Sequence, residues 1–154
     1  MGLAEEIKQT KFKNKHEEAG INILYTNNWI EDKLRCTFSC EDLTPQQFNV
    51  LRILRGSHPE PLSTLQIRER MIDKMSDTSR IVDRLRKKEL VCKNTCANDK
   101  RLVDVCISEK GLETLARMDK KIDDWDRILK NLTATEAETL SLLLDKIREQ
   151  DLNE

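Results

Sequence analysis

The chain has 154 residues, of which 36 % are charged and 38 % are hydrophobic, so it is long enough for one domain with a substantial apolar core. Three prolines and four glycines are too few for the many turns of an all-β sandwich. No apolar run approaches the roughly 20 residues of a membrane span, and the N-terminal segment lacks the apolar stretch of a signal peptide. These features predict a mainly helical, cytoplasmic protein without a membrane partner.

The net charge of −1 conceals an uneven distribution of charged residues. Residues 62–101 contain eleven Lys and Arg against six Asp and Glu, which gives this segment a charge of +5. A basic segment between acidic flanks is typical of a DNA-binding module within a larger scaffold. Chance fluctuation in a charge-rich chain is the alternative, so the positions of the basic residues must decide.

The N-terminal half is predicted to be helical. Helical apolar spacing runs through the first forty residues, with a break expected near Gly20. Thr44 and Pro45 mark the start of the next helix, because threonine is a good N-cap and proline suits the first helical position. A short helix then begins at Ser63 and ends near residues 72–73.

The middle of the chain is predicted to form a capped helix followed by a β-hairpin. Ser76 is the expected N-cap of a helix that runs to about Lys88. Strand-forming residues follow at 90–92 and 102–107, and the polar turn residues 98–101 form a longer hairpin tip between them. This order of short helix, capped helix and two-stranded hairpin is that of a winged helix-turn-helix.

The C-terminal third is predicted to supply apolar helix faces for dimerisation. Ser108 caps a long helix with a heptad pattern of apolar residues, which are Leu115, Met118, Ile122, Trp125, Leu129 and Leu132. Thr133 and Glu136 form a capping box for a last helix. A small winged domain cannot cover both stripes, although part of each is expected to pack within the chain. A two-fold dimer would place two recognition helices about one DNA turn apart, which matches a palindromic operator.

The helix that begins near Ser76 carries the predicted DNA-reading residues. Small hydroxyl side chains at its start can approach bases or phosphates, and two arginines lie one turn apart on one face. The candidate contacts in this helix are Ser76, Thr78, Ser79, Arg80 and Arg84. The basic residues 86–88 suit the negative end of the helix dipole as well as they suit phosphates, so both explanations stay open for them.

Two segments resemble the multiple antibiotic resistance regulator (MarR) family. Its recognition helix and first wing strand are similar to SDTSRIVDRLRKKELVCK, and its wing signature is similar to NDKRLVDVCISEKG. The resemblance extends from about Leu43 to Leu115 and implies a single, mainly α domain with a small β-hairpin wing. Within it, a winged helix-turn-helix at 43–108 would lie between N- and C-terminal dimerisation helices at 1–42 and 109–154.

The resemblance also assigns roles to residues of the wing. It implies that Arg101 reaches into the minor groove, that Asp99 orients this arginine, and that Lys100 contacts DNA beside them. The alternative is that these residues only close the hairpin tip. Two positions depart from the family pattern, because Glu89 stands where a glycine is expected after the recognition helix and the turn at 72–75 has no glycine.

The five cysteines do not form a recognisable metal or disulfide pattern. Their odd number argues against a disulfide framework. The pairs Cys36–Cys40 and Cys92–Cys96 lie far apart in sequence and are better explained as ordinary thiols than as zinc ligands, so no metal or cofactor is expected. Cys92 and Cys96 border the predicted wing, however, and oxidation there would be able to move it.

A small-molecule effector is a further implication of the family resemblance. Such a ligand would lie between the dimerisation helices and the winged domain. Tyr25, Trp29 and Phe48 are candidate lining residues, although aromatic residues in helices more often belong to the core.

The sequence predicts a DNA-binding regulator rather than an enzyme. It has no Gly-rich phosphate loop, no Gly-x-Ser-x-Gly elbow and no His-Glu-x-x-His motif. The expected protein is a homodimeric repressor that binds double-stranded DNA at a palindromic operator. A small-molecule or oxidative signal is expected to release it from the DNA. The alternative is a winged-helix protein-interaction module that does not bind DNA, but such a module does not require Arg80, Arg84 and Arg101 on one surface.

Overall fold

The computed structural model describes residues 2–9, 11–95, 103–122 and 127–149, in two compact units, Met1–Lys120 and Lys121–Glu154. The helices defined in these ranges are α1 (Leu3–Glu6), α2 (Lys15–Ser39), α3 (Pro45–Ser57), α4 (Thr64–Arg70), α5 (Thr78–Lys87), α6 (Glu109–Ile122) and α7 (Ala134–Arg148). The strands are β1 (Leu62–Ser63), β2 (Val91–Thr95) and β3 (Val103–Ile107). The predicted class, mainly helical with a small antiparallel sheet, is confirmed.

The expected helix break near Gly20 is wrong. The helix α2 continues through Gly20 for 25 residues, and the interruption lies before it, where Lys8 has a φ of 55°. The Asn14 side chain accepts the Glu17 N–H at 2.9 Å and fixes the start of α2. A single glycine costs a helix only about 1 kcal/mol relative to alanine, so it does not end a long helix by itself.

The core of the first unit lies between α3, α4, α5, α6 and the sheet. Reciprocal capping boxes fix the predicted helix starts, with Thr44 and Gln47 at α3 and Ser63 and Gln66 at α4. The largest fully buried side chains are Val50, Leu51, Leu54, Ile67, Met71, Val82, Leu85, Val105, Leu115 and Met118. Each such apolar side chain stabilises the fold by roughly 1.5–3 kcal/mol through burial, so this set holds the helices in fixed positions.

The sheet has three strands in the order β1-β3-β2 rather than the two strands of the predicted hairpin. The strand β1 contributes only Leu62 and Ser63, which pair with Val105 and Asp104 of β3. Two residues are too few to produce an alternating pattern, so this strand could not be predicted from periodicity.

The first part of the predicted heptad seam belongs to the core of the first unit. Leu115 and Met118 have no exposed surface, so these two residues are not available to a partner chain. The side chain of Ile122 and the whole of Trp125 lie outside the described residues, whereas Leu132 is 37 % exposed.

The second unit contains α7, which begins at the predicted capping box. The Thr133 hydroxyl accepts the Glu136 N–H at 3.3 Å, and the Glu136 carboxylate accepts the Thr133 N–H at 2.8 Å. Large apolar residues along this helix are exposed in the single chain, namely Leu140, Leu142, Leu143 and Ile147. Over the part of the chain that the structure describes, every helix is too short or too polar to cross a membrane.

Candidate nucleic-acid interface

The helix α5 is anchored on one face and presents the other face to solvent. Its buried residues Thr78, Val82 and Leu85 recur at intervals of four and three, which is one side of a helix. The exposed side carries Ser79, Arg80 and Arg84, together with the basic residues 86–87 near its end. A rigid helix therefore holds two arginines one turn apart on an open surface.

The start of α5 differs from the prediction by one residue. Asp77, and not Ser76, is the N-cap, because its Oδ1 accepts the Arg80 N–H at 3.1 Å. The other carboxylate oxygen of Asp77 lies 3.1 Å from Nε of Arg80. Both side chains of this ion pair are more than half exposed, so it contributes less than about 1 kcal/mol and leaves the arginine free to turn towards a ligand.

Ser76 belongs to the turn between α4 and α5 rather than to the surface of α5. Its hydroxyl donates to Oδ2 of Asp73 at 2.7 Å, and Oδ1 of Asp73 accepts the Met75 N–H at 3.0 Å. These hydrogen bonds lower the pKa of Asp73, and the bond from Ser76 has the largest effect. An aspartate that bonds the backbone two residues ahead forms a turn without glycine, which explains the second departure from the family pattern.

The structure places the predicted contact Thr78 in the interior. Its side chain is 5 % exposed, so it cannot approach a base edge. Its Oγ1 has no hydrogen-bond partner among the described residues. An unpaired buried hydroxyl destabilises a fold, so this residue is a weakness of the domain rather than part of the interface.

An open groove of about 300 Å³ lies between the beginning of α3 and the beginning of α5. Its lining residues are Thr44, Gln46, Gln47, Ser76, Asp77, Arg80, Ile81 and Arg84. Two helix N-termini thus meet beside two guanidinium groups, and both features favour anionic groups. The Asp77 carboxylate opposes this attraction locally, so Arg84, further along α5, is the less compensated of the two arginines.

The wing is fixed to α5 by an ion pair that the sequence analysis did not identify. Lys93 of β2 donates to Oδ1 of Asp83 at 3.0 Å. This hydrogen bond, together with the charges of Lys93 and the basic residues 86–87, lowers the pKa of Asp83. Lys93 pairs in register with the buried Val105. A lysine on the inward face of a strand needs an oppositely charged partner, so Lys93 was the residue from which a nearby carboxylate could have been predicted.

Glu89 adopts the left-handed conformation that the family pattern assigns to a glycine. Its φ is 63°, its N–H donates to the Arg86 carbonyl at 2.9 Å, and the Leu90 N–H donates to the Leu85 carbonyl at 3.0 Å. These two bonds form a Schellman motif at the end of α5. Lys110 lies 2.9 Å from the Glu89 carboxylate and lowers its pKa. The missing glycine therefore leaves the helix end intact.

The predicted wing contacts Asp99, Lys100 and Arg101, and also Cys96, lie outside the described residues. Cys92 is described and exposed, and its partner in the sheet register is Cys106. Burial, followed by the neighbouring Cys92 and two carboxylates, raises the pKa of the Cys106 thiol. The described residues include no group of three His, Cys, Asp or Glu side chains that converges as a metal site.

Comparison with known proteins identifies the family. The MarR family model matches residues 43–103, from two residues before α3 to the first residue of β3. The MarR transcription factor from Planctomyces limnophilus is 31 % identical over 88 % of this chain and 98 % of its own, with a TM-score of 0.69. The chain belongs to the MarR family of transcription regulators.

Other solved structures share the fold over most of their length. A mutant MarR from E. coli, complexed with operator DNA, is 26 % identical over 90 % of this chain and 99 % of its own, with a TM-score of 0.77. An organohalide-sensing transcriptional regulator in a 2,4-dichlorophenol-bound form is 20 % identical over 92 % of this chain and 86 % of its own, with a TM-score of 0.81. A comparison with curated protein sequences gives no match.

A second groove of the MarR-family chain contains the two predicted effector-site residues of α2. Tyr25 and Trp29 line about 330 Å³ between α1 and α2. The pKa of Tyr25 is raised, first by its hydrogen bond with Glu6 and then by burial. Phe48 does not line this groove, because it is buried with its ring centroid 5.4 Å from that of Phe38.

Proposed function

We propose that this MarR-family regulator is a repressor that binds double-stranded DNA as a homodimer, with α5 of each chain in the major groove of a palindromic operator. The observation that carries the proposal is the exposed face of α5, where Ser79, Arg80 and Arg84 project from a helix anchored by buried residues. The binding of operator DNA by the E. coli MarR mutant supports the same role for this chain.

The exposed residues of α5 divide into base-reading and phosphate-binding roles. Arg80 and Ser79 lie in the first turn, which is the part of a recognition helix nearest the base edges. A bidentate arginine–guanine contact contributes about 1–3 kcal/mol of discrimination. Arg84 lies one turn further along and, with the groove at the start of α3, is placed for a phosphate of the DNA backbone.

We assign the second DNA contact to the wing tip. In this assignment Arg101 enters the minor groove, Asp99 orients it, and Lys100 binds a neighbouring phosphate. The strands that lead to the tip are held against α5 by the Lys93–Asp83 ion pair. The winged region would then comprise residues 43–108, with residues 1–42 and 109–154 as dimerisation helices.

Exposed apolar surface supports the homodimer. The last helix exposes Leu142 by 64 % and Ile147 by 57 %, and α2 exposes Leu24 by 68 %. Exposure of such apolar side chains to water is unfavourable, and a dimer interface with a second copy of the chain would bury them. We assign release from DNA to a small-molecule or oxidative signal, with Tyr25 and Trp29 as the candidate small-molecule contacts.

The proposal is tested by selecting bound duplexes from a random pool with the purified full-length chain. We expect enrichment of a palindromic sequence, a dimer by sedimentation at micromolar concentration, and a log–log salt slope of about −0.9 per phosphate neutralised. Arg101→Ala should weaken binding to all duplexes, because the minor groove distinguishes bases poorly. If no duplex is enriched and binding is independent of salt, the DNA-binding function is contradicted and the protein-interaction module is favoured.

A further inference from the structure

Two cysteines lie directly opposite each other on the outer face of the wing. The register of β2 and β3 pairs Cys92 with Cys106. Val91, Val105 and Ile107 are buried on the inward face of the same strands, so strand alternation places both cysteines on the other face. Cys92 is exposed, Cys106 is half-buried, and both are free thiols.

The hydrogen bonding of the hairpin defines the spacing of this pair. The Ser108 N–H donates to the Leu90 carbonyl at 3.1 Å, and these residues are opposite each other when the register is continued. Hydrogen-bonded and non-bonded pairs alternate, so Cys92 and Cys106, two positions along, are also a hydrogen-bonded pair. Such pairs have Cα atoms about 5.5 Å apart, within the range of roughly 4.4–6.8 Å that disulfides span.

Closing a disulfide here requires a local movement of the strands. The Cβ atoms of a hydrogen-bonded pair are about 5.5 Å apart, whereas those of a disulfide are roughly 3.5–4.5 Å apart. The two strands must therefore move towards each other by about 1 Å at this point. Lys93, the residue after Cys92, holds β2 to Asp83 of α5 at 3.0 Å. The movement is thus transmitted to the junction between the wing and α5.

We propose that Cys92 and Cys106 form a reversible disulfide that changes the position of the wing relative to α5 and lowers the affinity for DNA. The oxidant is a low-molecular-weight disulfide. The Cys92 thiolate attacks one of its sulfurs, which gives a mixed disulfide and releases one small thiol; the Cys106 thiolate then attacks the Cys92 sulfur and releases the second. The small disulfide takes up two electrons, and the two thiol protons end on the released thiols. The effect on DNA rests on the proposed function, but the disulfide does not.

The surroundings of the two thiols define the order of these steps. Cys92 is exposed and meets the oxidant first, whereas Cys106 is partly shielded. Burial, with Cys92, Asp104 and Glu60 nearby, raises the pKa of the Cys106 thiol, which lowers its thiolate fraction and disfavours it as the first nucleophile. Exposed and strained disulfides are readily reduced, so reduced glutathione should reverse the bond.

Peptide mapping tests the disulfide directly. Trypsin cuts after Lys93 and Arg101, so the three cysteines of the wing region fall in separate peptides. After treatment of the full-length chain with glutathione disulfide, we expect ELVCK linked to LVDVCISEK, and reduced glutathione should remove the link. Cys40→Ser, which removes an exposed thiol outside the wing, should form the same link. Cys106→Ser should instead accumulate a glutathione adduct on Cys92.

Binding to a selected duplex tests the consequence for DNA. Cross-linked wild type should bind several-fold more weakly than reduced wild type, and Cys92→Ser should be unaffected by glutathione disulfide. Glutathione adducts without a cross-link, or a bond to Cys96 instead, would overturn the proposed pair. Cross-linked protein that binds as tightly as reduced protein would overturn its regulatory effect. Failure of reduced wild type to bind any duplex would contradict the proposed function and leave the peptide map unaffected.

Discussion

The close approach of α6 to Leu90, just after the end of α5, predicts a large effect of Gly111→Ala. A Cβ atom at Gly111 would clash with the Leu90 carbonyl oxygen and would lie 2.7 Å from Cγ1 of Ile107. Ordinary van der Waals contact begins near 3.4 Å, so the first turn of α6 would have to move by about 1 Å in a close-packed interior. The Gly111 N–H also donates to the Ser108 hydroxyl at 3.0 Å, and this cap would move with it.

The expected destabilisation follows from these contacts. Overpacking of this kind costs about 1–3 kcal/mol and disturbance of the cap about 1 kcal/mol, while the better helix propensity of alanine returns up to about 1 kcal/mol. The net loss of about 1–3 kcal/mol should lower the melting temperature by roughly 3–10 °C for a chain of this size.

A matched glycine provides the control for this measurement. Gly56 lies in α3, and a Cβ atom there would meet nothing within 4 Å. Gly56→Ala should therefore be neutral or stabilise the protein by up to about 1 kcal/mol. Both variants should be melted by circular dichroism at one protein concentration, because an oligomer melts in a concentration-dependent way. A Gly111→Ala protein at least as stable as wild type would refute the close approach of α6 to Leu90.

Substitutions at three further positions test individual contacts of the winged region. Glu89→Gly should raise the free energy of unfolding by about 0.4–1 kcal/mol, because glycine adopts the φ of 63° without strain; Glu89→Ala, which loses the Lys110 ion pair and keeps the strain, should lower it. Thr78→Val should leave stability unchanged or raise it in urea unfolding, since it removes the unpaired buried hydroxyl; a loss above about 1 kcal/mol would mean that the hydroxyl has a partner. The lowered pKa of Asp83 stabilises the fold above the ordinary aspartate pKa of about 3.9, and this contribution is lost as the pH falls through the folded value. Asp83→Asn should therefore reduce stability at neutral pH more than at low pH, and an equal loss at both would show that the ion pair with Lys93 does not form.

Helix starts could be predicted wherever the determining contacts are local. The capping boxes at Thr44, Ser63 and Thr133 join residues three positions apart, so they are visible in the sequence and are present in the structure. Ser76 and Asp77 are both good caps, and the sequence cannot choose between them. Asp73 decides, because it takes the Ser76 hydroxyl and leaves Asp77 to cap α5.

Long-range contacts account for what the sequence did not reveal. The pairing of Cys92 with Cys106 depends on strand register, and the short strand β1 depends on the edge that β3 leaves open. The burial of Thr78 likewise follows from how α5 docks on α3 and α4, not from the residue type. Helical periodicity predicted that the arginines of α5 are exposed. It could not predict that the start of α3 lies beside them across the groove, because that depends on how the helices pack.

The central claim, that α5 reads DNA, is tested most directly by competition binding with one pair of variants. Arg80→Ala removes an exposed arginine that lies 3.1 Å from Asp77 three residues earlier, and the control Arg35→Ala removes an exposed arginine of α2 that lies 2.9 Å from Asp32 three residues earlier. Each variant and wild type should be competed between the selected palindrome and a scrambled duplex, with melting to confirm folding. We predict that Arg80→Ala loses about 1–3 kcal/mol of discrimination, roughly 5- to 150-fold in the affinity ratio, and that Arg35→Ala keeps it. Equal discrimination by Arg80→Ala and wild type would contradict the account of α5 as the recognition helix.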